Sequence, residues 1–369
     1  MDTNISNIRI FDKDINFLGE VDDFTSLFFI RKWDTYGEFE FHLNKIDRDL
    51  IKKGNIIMID NDGNKAGIIE YIEIDEENGQ DIKVKGYSLL YMLTFRLTIP
   101  PANCHNQNFS NLAVGEILNT LVKVNSINTS EERIIDNLII ENIDSNITKE
   151  SKNIIKAFET RYANLCDELT KLCKTNGLGI TIDLDYIGKR FIFKVLEGRD
   201  LSVTQRENSP AIFSVEYDNV KKQNYIESNV GYKSCAYIAP NKSAEEKDII
   251  IIHDEIKGID RREIVIDASN SAFKDQLGTL GEQKLDEKKA IQSYECEVDP
   301  IGYKDIWDLG DIVTTVSKKY EFKFDNRVSE VKEIYESKTI KIEPTFGSVQ
   351  LTVLDIINNE DTKDLKVSN

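Results

Sequence analysis

Alternation between hydrophobic and polar residues dominates the first hundred positions of the chain. Glu38 to Leu43 alternates at every step, so its two phenylalanines and its leucine fall on one face of a strand. Ser26 to Trp33 is a longer apolar run, and Asn61-Asp62-Gly63-Asn64 contains the Asp-Gly pair of a hairpin turn. Further strands are predicted over 8–10, 17–21, 55–60, 66–75 and 81–86, and a short helix over 88–95. Residues 1–101, which end at Pro100-Pro101, predict a small closed barrel or sandwich, and we assign them as a first β-barrel domain.

A helical period replaces this alternation in the next segment. Ala113 to Lys123 has its valine, isoleucine and leucines spaced for one face of a helix. A longer helix is predicted over Lys152 to Lys174, because apolar residues recur there at steps of three and four, namely Ile154, Phe158, Tyr162, Leu165, Leu169 and Leu172. Asn176-Gly177 suits a left-handed helix C-cap. A hairpin over 179–184 and 190–196 follows, so residues 102–200 predict an α+β insertion domain.

Strand patterns return in residues 201–350, which predict a second β-barrel domain. Candidate strands cover 211–215, 223–230, 234–238, 248–253, 263–267, 294–298, 312–316, 320–324, 327–334 and 339–343, with one helix over 271–291. Residues 351–369 are assigned as a C-terminal tail that frays. Gly54 and Gly310 each precede a strand, which hints at a distant duplication. The predicted fold class is α+β, mainly β, with two small β-barrel domains and an α+β insertion between them.

The charge balance excludes several classes of partner. The chain has 47 lysine and arginine residues against 65 aspartate and glutamate residues, so its formal net charge is −18. A protein that reads nucleic acid usually has the opposite sign, because phosphate neutralisation drives its affinity. The same acidity disfavours binding to an anionic membrane, so no membrane binding of its own is predicted. The N-terminus lacks a signal-peptide pattern, and the apolar runs are too short to span a bilayer, which predicts synthesis in a cytoplasm.

The cysteines and histidines are few and scattered. Five cysteines at long, irregular spacings argue against a disulfide framework and favour free thiols, and Cys166 and Cys173 predict buried positions on one helix face. The three histidines, His42, His105 and His253, lack the spacing of a zinc peptidase. Cys104 and His105 are adjacent, but a nucleophile and its base meet in space rather than in sequence.

The remaining motifs have structural explanations that outweigh catalytic ones. Gly86-Tyr87-Ser88-Leu89-Leu90 lacks the second glycine of a nucleophile elbow, and Gly177-Leu178-Gly179 follows a helix instead of opening one. Residues 60–64 resemble a calcium loop, but the glycine is misplaced and position twelve is Tyr71. Asp308 and Asp311 flank a predicted tight turn. The aromatic residues of the early strands are assigned to a core, namely Phe28, Phe29, Trp33, Phe39 and Phe41. We therefore predict no catalytic, cofactor-binding or metal-binding residue, and no enzyme.

Several segments, taken together and in order, resemble a siphophage tail protein family, that of the hub or tail-associated (Tal-type) proteins. They are Arg31-Lys32-Trp33, Gly37 to Leu43, Lys53 to Ile57, Lys85-Gly86-Tyr87, Ile99-Pro100-Pro101, Arg161-Tyr162, Leu196 to Leu201, Trp307 to Val313 and Thr345-Phe346-Gly347. The resemblance runs over about residues 5 to 350. It implies a fold similar to the central hub of contractile-tail baseplates, with two related β-barrels and an α+β insertion.

The resemblance also implies a structural role at the tail tip of a virion. Three copies would form a homotrimer with six barrels in a pseudo-sixfold ring, which joins the tail tube to the tip. The implied partners are the distal tail protein or tail tube above, the tape-measure protein, and receptor-binding or tip proteins below. DNA would pass through as cargo, and an acidic channel would keep it from adhering. Many family members have a long C-terminal extension that this chain lacks, so we expect any hydrolase or fibre to be a separate chain.

Two alternative functions remain open at this point. A tail-tip receptor-binding protein would use exposed aromatic residues to bind a glycan, and glycan binding by the isolated protein would identify it. A tail-associated peptidoglycan hydrolase would use an unrecognised pair of carboxylates, and zymography on cell walls would reveal it. We rank the hub first, the receptor-binding protein second and the hydrolase third.

Overall fold

The chain is described by a computed structural model that covers residues 6–75, 81–141, 154–240, 248–269, 271, 276–336 and 339–347. The predicted tail, residues 351–369, lies outside these ranges. The described part is mainly β, as the sequence predicts. Within it, no helix is both long and apolar enough to cross a bilayer.

The first β region contains seven strands, as the alternation predicts. They are β1 (Ile8–Phe11), β2 (Phe17–Val21), β3 (Phe24–Lys32), β4 (Glu38–Leu43), β5 (Ile56–Ile59), β6 (Ala66–Asp75) and β7 (Asp81–Ser88). A 3-10 helix over Leu89–Phe95 follows at the predicted position. The alternation on β4 is reproduced in space, because Phe39, Phe41 and Leu43 are buried while the residues between them are not.

The hairpin from β5 to β6 forms as predicted, but Gly63 is not its turn residue. Asp60 and Asn61 adopt the left-handed conformation instead, with φ of 52° and 58°. Gly63 begins a short 3-10 helix over Gly63–Lys65. A Cβ atom on Gly63 would lie 2.4 Å from the carbonyl oxygen of Leu184. This glycine therefore allows a strand of the insertion to approach closely.

In its described residues, the middle segment mixes short strands with two α-helices. Its strands are β8 (Gln107–Phe109), β9 (Leu112–Ala113), β10 (Leu138–Ile140), β11 (Ile154–Ile155), β12 (Phe158–Thr160), β13 (Gly179–Asp185), β14 (Arg190–Leu196) and β15 (Asp200–Leu201). The helices are α1 (Val114–Val122), close to its predicted bounds, and α2 (Leu165–Asn176). Gly177 has φ of 67°, so the predicted left-handed C-cap of α2 is confirmed.

The prediction of one helix over residues 152–174 is wrong in its first half. Residues 154–160 contain β11 and β12 rather than helical turns. Tyr162 then has φ of 47°, a left-handed value that interrupts any helix. Asn164 accepts a hydrogen bond from the Asp167 amide and caps the true start of α2. The apolar spacing therefore ran across three separate elements, β11, β12 and α2, that only happened to be in phase.

In its described residues, the last segment contains nine strands and one α-helix. The strands are β16 (Ile212–Phe213), β17 (Val220–Ser228), β18 (Cys235–Ala239), β19 (Ile250–Ile252), β20 (Glu263–Asp267), β21 (Ile291–Val298), β22 (Ile312–Ser317), β23 (Phe322–Glu336) and β24 (Thr339–Gly347). The helix α3 covers Leu277–Asp286, so it is shorter than the predicted 271–291, whose last residue already begins β21. Two predicted strands, 320–324 and 327–334, are one continuous strand, β23.

One sheet connects the two β regions. Its neighbouring strands follow the order β17-β21-β24-β23-β3-β4-β7-β6-β5-β1-β2, while β22 also pairs with β23, β15 and β16. The pairing of β23 with β3 is antiparallel and runs from Glu330 opposite Lys32 to Tyr335 opposite Leu27. The mainly β class is confirmed, but the described pairings form no closed barrel, so the prediction of two closed barrels is not confirmed.

The hint of duplication from Gly54 and Gly310 extends to the topology. The strands β3-β4-β7-β6-β5 are neighbours in that order, and β17-β21-β24-β23-β22 repeat the order with the same antiparallel pairings and the same sequence of strands along the chain. Gly54 has φ of 85° and Gly310 has φ of 91°. We refer to the two five-strand groups as repeat A and repeat B.

The buried side chains form cores that do not follow the predicted domain limits. The largest cluster joins residues of the first region, such as Phe11 and Met58, to residues of the insertion, such as Leu169 and Phe193. A second cluster joins repeat A to β1 and β2 and includes Tyr335 of β23. A third joins repeat B to β15 and β16. The domain limits at 101, 200 and 350 stay predictions, and the insertion packs directly on the first region.

Candidate functional site

Trp33 lies where the first β region, the insertion and repeat B meet. Its side chain is buried, with 5% of its surface exposed. Its amide donates to the Ser329 carbonyl at 2.9 Å, and its carbonyl accepts from the Ile180 amide at 2.9 Å. A Cβ atom would come within 2.6 Å of its ring at Gly179 and within 2.0 Å at Gly310. Two glycines from different segments therefore clear the space that this indole occupies.

Arg327 lies over the ring of the same indole. Its guanidinium carbon lies 5.4 Å from the centre of the Trp33 ring, and its Nη1 donates to the Gly310 carbonyl oxygen. Burial lowers the pKa of Arg327 from its usual value. A Cβ atom on Gly198 would meet the Gly310 carbonyl at 1.8 Å. The chain leaving the insertion thus packs against the turn that leads into β22.

Arg199 fixes that turn through Asp311. The Arg199 Nη2 lies 2.6 Å from the Asp311 Oδ2, and the Arg199 amide donates to the Oδ1 at 2.9 Å. Asp311 also accepts from the Asp308 amide at 2.9 Å. The predicted tight turn between the two aspartates is therefore confirmed, and the role of Asp311 in holding the insertion to it was not predicted.

Arg31 and Asp308 form a second link between the segments that meet around Trp33. We refer to this meeting point of the first β region, the insertion and repeat B as the junction. The Arg31 Nη1 lies 2.8 Å from the Asp308 Oδ1 and 3.0 Å from the Tyr303 hydroxyl. Burial opposes the charge on Arg31, but Tyr303 and Asp308 outweigh that effect and raise its pKa. The charge on Arg31 is therefore fixed, and the pair joins strand β3 to the loop before β22.

Lys65 and Glu333 form the most deeply buried ion pair of the junction. Their charged atoms are 3.3 Å apart, with 7% and 3% of the side-chain surfaces exposed. Glu333 also accepts from the hydroxyls of Tyr335 at 2.7 Å and Tyr303 at 2.9 Å. Burial raises the pKa of Glu333, but Lys65, Lys304 and Arg31 outweigh it, so the pKa lies below the usual 4.5. Glu333 is consequently a charged group whose partners come from both β regions.

The histidines have ordinary surroundings. The His105 ring contacts Asn106 at 2.8 Å and Arg161 at 2.6 Å, and its neighbour Cys104 is exposed. The His253 ring lies 3.2 Å from Glu282, on the surface. These contacts place no nucleophile beside either imidazole.

The other motifs also have structural roles. Ser88 Oγ accepts from the Gly37 amide at 3.0 Å, and Asp62, in the loop that resembles a calcium site, pairs with Lys304 at 2.5 Å. Phe29, Trp33, Phe39 and Phe41 are core residues, as predicted, whereas Phe28 is half-buried beneath Lys332. Within the described ranges, no group of three or more His, Cys, Asp and Glu side chains is arranged to hold a metal ion.

The cysteines are free thiols, as predicted. Cys166 and Cys173 are buried on one face of α2, and burial raises the pKa of Cys166 to about 12 and that of Cys173 well above its usual value. Cys235 and Cys296 are buried as well, and Cys104 is exposed. The four buried thiols are protonated at neutral pH and chemically inert.

His42 offers a direct test of the polar face of the sheet. It lies on β4 with its ring nitrogens 2.9 Å from Glu40 and Asp81. Partial burial opposes protonation, but these hydrogen bonds outweigh it and raise the pKa of His42 above 6.5. Its contribution to stability is therefore complete below pH 6.5 and is lost as the pH rises through the raised pKa. We expect NMR titration to show this raised pKa and Asp81→Asn to lower it. A pKa at or below 6.5 in the unaltered protein would contradict the contact.

The junction unites segments that the sequence shows far apart. Arg31 and Trp33, Gly198 and Arg199, and residues 307–313 all belong to the motifs that carry the family resemblance. Sequence reasoning assigned none of them to a site, because it searched for catalytic patterns. The feature that could have identified them is that they all belong to the ordered series of motifs that carries the family resemblance. Together they join three segments through close packing, hydrogen bonds and ion pairs.

The fold of the described residues is shared with solved phage tail proteins. A prophage MuSo2 43 kDa tail protein from Shewanella oneidensis has 13% identity and a TM-score of 0.56, over 92% of this chain and 97% of its own. A tail protein from Neisseria meningitidis MC58 has 12% identity and a TM-score of 0.58, over 95% and 98%. The prophage tail protein gp18 of Listeria monocytogenes EGD-e has 13% identity and a TM-score of 0.52, over 96% and 98%. At these identities the three structures show the shared fold.

The chain belongs to the Siphovirus ReqiPepy6 Gp37-like protein family, whose sequence profile matches residues 7–348. This is a family of siphovirus tail proteins, so the resemblance found in the sequence is confirmed. Among curated proteins, no sequence relative matches the chain.

Proposed function

We propose that this protein is the hub at the distal tip of a phage tail, where three copies form a ring between the tail tube and the tip. The observation that supports this most directly is the pair of repeats joined side by side through β3 and β23. Three copies would supply six similar repeats, which match a sixfold tube above and a threefold tip below. The junction around Trp33 would keep the two repeats of each copy in fixed register.

The proposed work is mechanical, with no reaction catalysed. The ring would contact the distal tail protein or tail tube above, the tape-measure protein within, and receptor-binding or tip proteins below. It would open for DNA during infection. The buried, mutually satisfied ion pairs of the junction suit a part that must hold its shape while its neighbours move.

The polar face of the sheet is the proposed lining of the channel. It bears Glu40 beside Lys85 at 2.7 Å, and Glu330 beside Lys32 at 3.5 Å. These cross-strand pairs neutralise two of the lysines on that face. With a net charge of −18 for the whole chain, the lining would repel the phosphate backbone and let DNA slide. A map of the ring with a basic channel would contradict this proposal.

The first test measures the mass of the full-length protein by light scattering across a concentration series. We expect three times the 42.3 kDa of one chain, and ring-shaped averages with a central pore by negative-stain electron microscopy. Immunogold labelling of intact tails should place the chain at the distal end. Label spread along the tube, or a mass that corresponds to another symmetry, would contradict the hub. Zymography on cell walls is the matched control for catalysis and should show no clearing.

A further inference from the structure

The two repeats can be aligned residue by residue, so a contact observed in one repeat predicts the equivalent contact in the other. In repeat A the Gly54 amide donates to Ile69 at 2.8 Å, and the Ile69 amide donates to Asn55 at 2.9 Å. In repeat B the Gly310 amide donates to Val328 at 2.8 Å, and the Val328 amide donates to Asp311 at 2.8 Å. The pairing of β6 with β7 shifts register between Ile69 and Tyr71, and that of β23 with β24 shifts between Val328 and Glu330. Ile69 therefore corresponds to Val328, and Tyr71 to Glu330.

The strand registers extend this correspondence across both repeats. Following the paired residues from β6 through β7, β4 and β3, and from β23 through β24, β21 and β17, gives one consistent alignment. In it, Phe28 corresponds to Asn224, Phe29 to Tyr225 and Arg31 to Glu227. The end of β6 corresponds to the part of β23 that pairs with β3.

That part of β23 has a second neighbouring strand, β3, whereas its counterpart on β6 has none among the described residues. Residues 330–335 of β23 pair with β3, whereas β5 pairs only with residues 66–68 of β6. In the described ranges, β7 is the only strand beside residues 71–75, and β21 is the only strand beside β17. Tyr71 and Ile74 are 47% and 43% exposed. Each copy thus presents an open edge on β6 and an open edge on β17, and these are the counterparts of two strands already paired.

We propose that β6 of one copy pairs with β17 of the next copy, in the same antiparallel register that joins β23 to β3 within one chain. This rests on the proposed ring and names its contact surface. The expected opposed pairs are Tyr71 with Ser228, Ile72 with Glu227, Glu73 with Ile226, Ile74 with Tyr225, and Asp75 with Asn224. The contact is head-to-tail, so repeating it closes a ring in which neither of these two edges stays open.

The charges at the edge agree with this register. By the same alignment, Lys52 corresponds to Asp308, since Gly54 corresponds to Gly310. The internal pair of Arg31 with Asp308 is then replaced, between copies, by Glu227 with Lys52. Both signs are reversed and the attraction is retained. An open groove of about 390 Å³ runs beside the edge of β6, with Lys52 among the residues of its wall. The groove would receive the side chain of Glu227.

Disulfide trapping tests the register. Asp75→Cys with Asn224→Cys places thiols at an opposed pair on the polar face, in a Cys104→Ser background that removes the exposed thiol. Six strands separate β6 from β17 within one chain, about 30 Å at the usual strand spacing, so a bond must join two copies. Asp75→Cys with Ser228→Cys is the matched control, because its second thiol is displaced by four residues, roughly 13 Å along the same face.

After mild oxidation, the first variant should run as a covalent trimer on a non-reducing gel, with the control at least about tenfold less cross-linked. Both should keep the trimeric mass by light scattering. A trimeric mass with no cross-link, or with the control cross-linked equally, would overturn the register and leave the hub standing. A monomeric mass for both variants and for the unaltered chain would overturn the ring and the register together.

Charge reversal supplies a second, independent measurement. Lys52→Glu or Glu227→Lys alone sets like charges against each other and should raise the dissociation constant of the trimer about tenfold. The double variant restores opposite charges and should return the constant close to its original value. Two single effects that simply add in the double variant would overturn the proposed contact.

Discussion

Lys65→Met should lower the free energy of unfolding by about 3–5 kcal/mol, because it leaves the charge of Glu333 buried without its closest cation. Methionine keeps the length of the side chain, so the loss is one of charge rather than volume. The hydroxyls of Tyr303 and Tyr335 still donate to the carboxylate, but they do not neutralise it. Denaturant unfolding at neutral pH, followed by fluorescence, measures this difference.

The same variant should show a distinct dependence on pH. In the unaltered protein the pKa of Glu333 lies below 4.5, so its stabilising contribution is present above pH 4.5 and is lost as the pH falls through the lowered pKa. Without Lys65 that pKa rises, and the penalty disappears once Glu333 is protonated. The two proteins should therefore converge in stability as the medium becomes acidic. Lys83→Met, which removes a surface pair with Glu73 at 3.2 Å, should have a far smaller effect. A constant difference at all pH values would rule out the buried charge as its cause.

Gly310→Ala should destabilise the protein by about 2–5 kcal/mol, of which the positive φ costs roughly 1–2 and overpacking the rest. The new methyl group would fall 2.0 Å from the Trp33 ring, and the backbone of Trp33 is held by hydrogen bonds through its amide and its carbonyl. The junction must therefore shift to accept it. Thermal unfolding monitored by circular dichroism provides the measurement.

Gly54→Ala is the matched control for this substitution. Gly54 occupies the equivalent position in repeat A with φ of 85°, and no atom lies within 4 Å of the position its Cβ would take. It should lose only the roughly 1–2 kcal/mol that the backbone conformation costs. Equal losses of stability at the two glycines would show that the Trp33 indole moves aside at little cost in free energy. That result would contradict the tight packing of the junction.

The strands of the first region were predictable because each buries only one face. On β4 the alternation of Glu38 to Leu43 predicts both the strand and the face of the strand that is buried. Around residue 160 the same reasoning failed, since Ile154 and Tyr162 fit a helical spacing although both are more than half exposed. A spacing rule records which residues are apolar, and it contains no information on whether one element buries them all.

The junction was beyond the reach of pattern reasoning for a different reason. Arg31 meets Asp308 across most of the chain, and neither residue looks unusual in its local sequence. Asp325-Asn326 separates two predicted strands, yet both residues continue β23 because they pair with Thr314 and Val313 of β22. In both cases the structure is determined by contacts with residues that are distant in the sequence. The predicted turn at Asp308 to Asp311, by contrast, depends on a local glycine and is confirmed.

The position of β23 has a consequence for how the protein is made. Strand β3 leaves the ribosome early, but its partner β23 lies close to the end of the described chain. At bacterial rates of about 5–20 residues per second, the roughly 300 residues between them take about 15 to 60 s to synthesise. During that time the edge of β3, with Phe28 and Ile30 on it, has no partner. Nascent chains on neighbouring ribosomes expose the same edge, so this edge is open to pairing between chains until the last strands emerge.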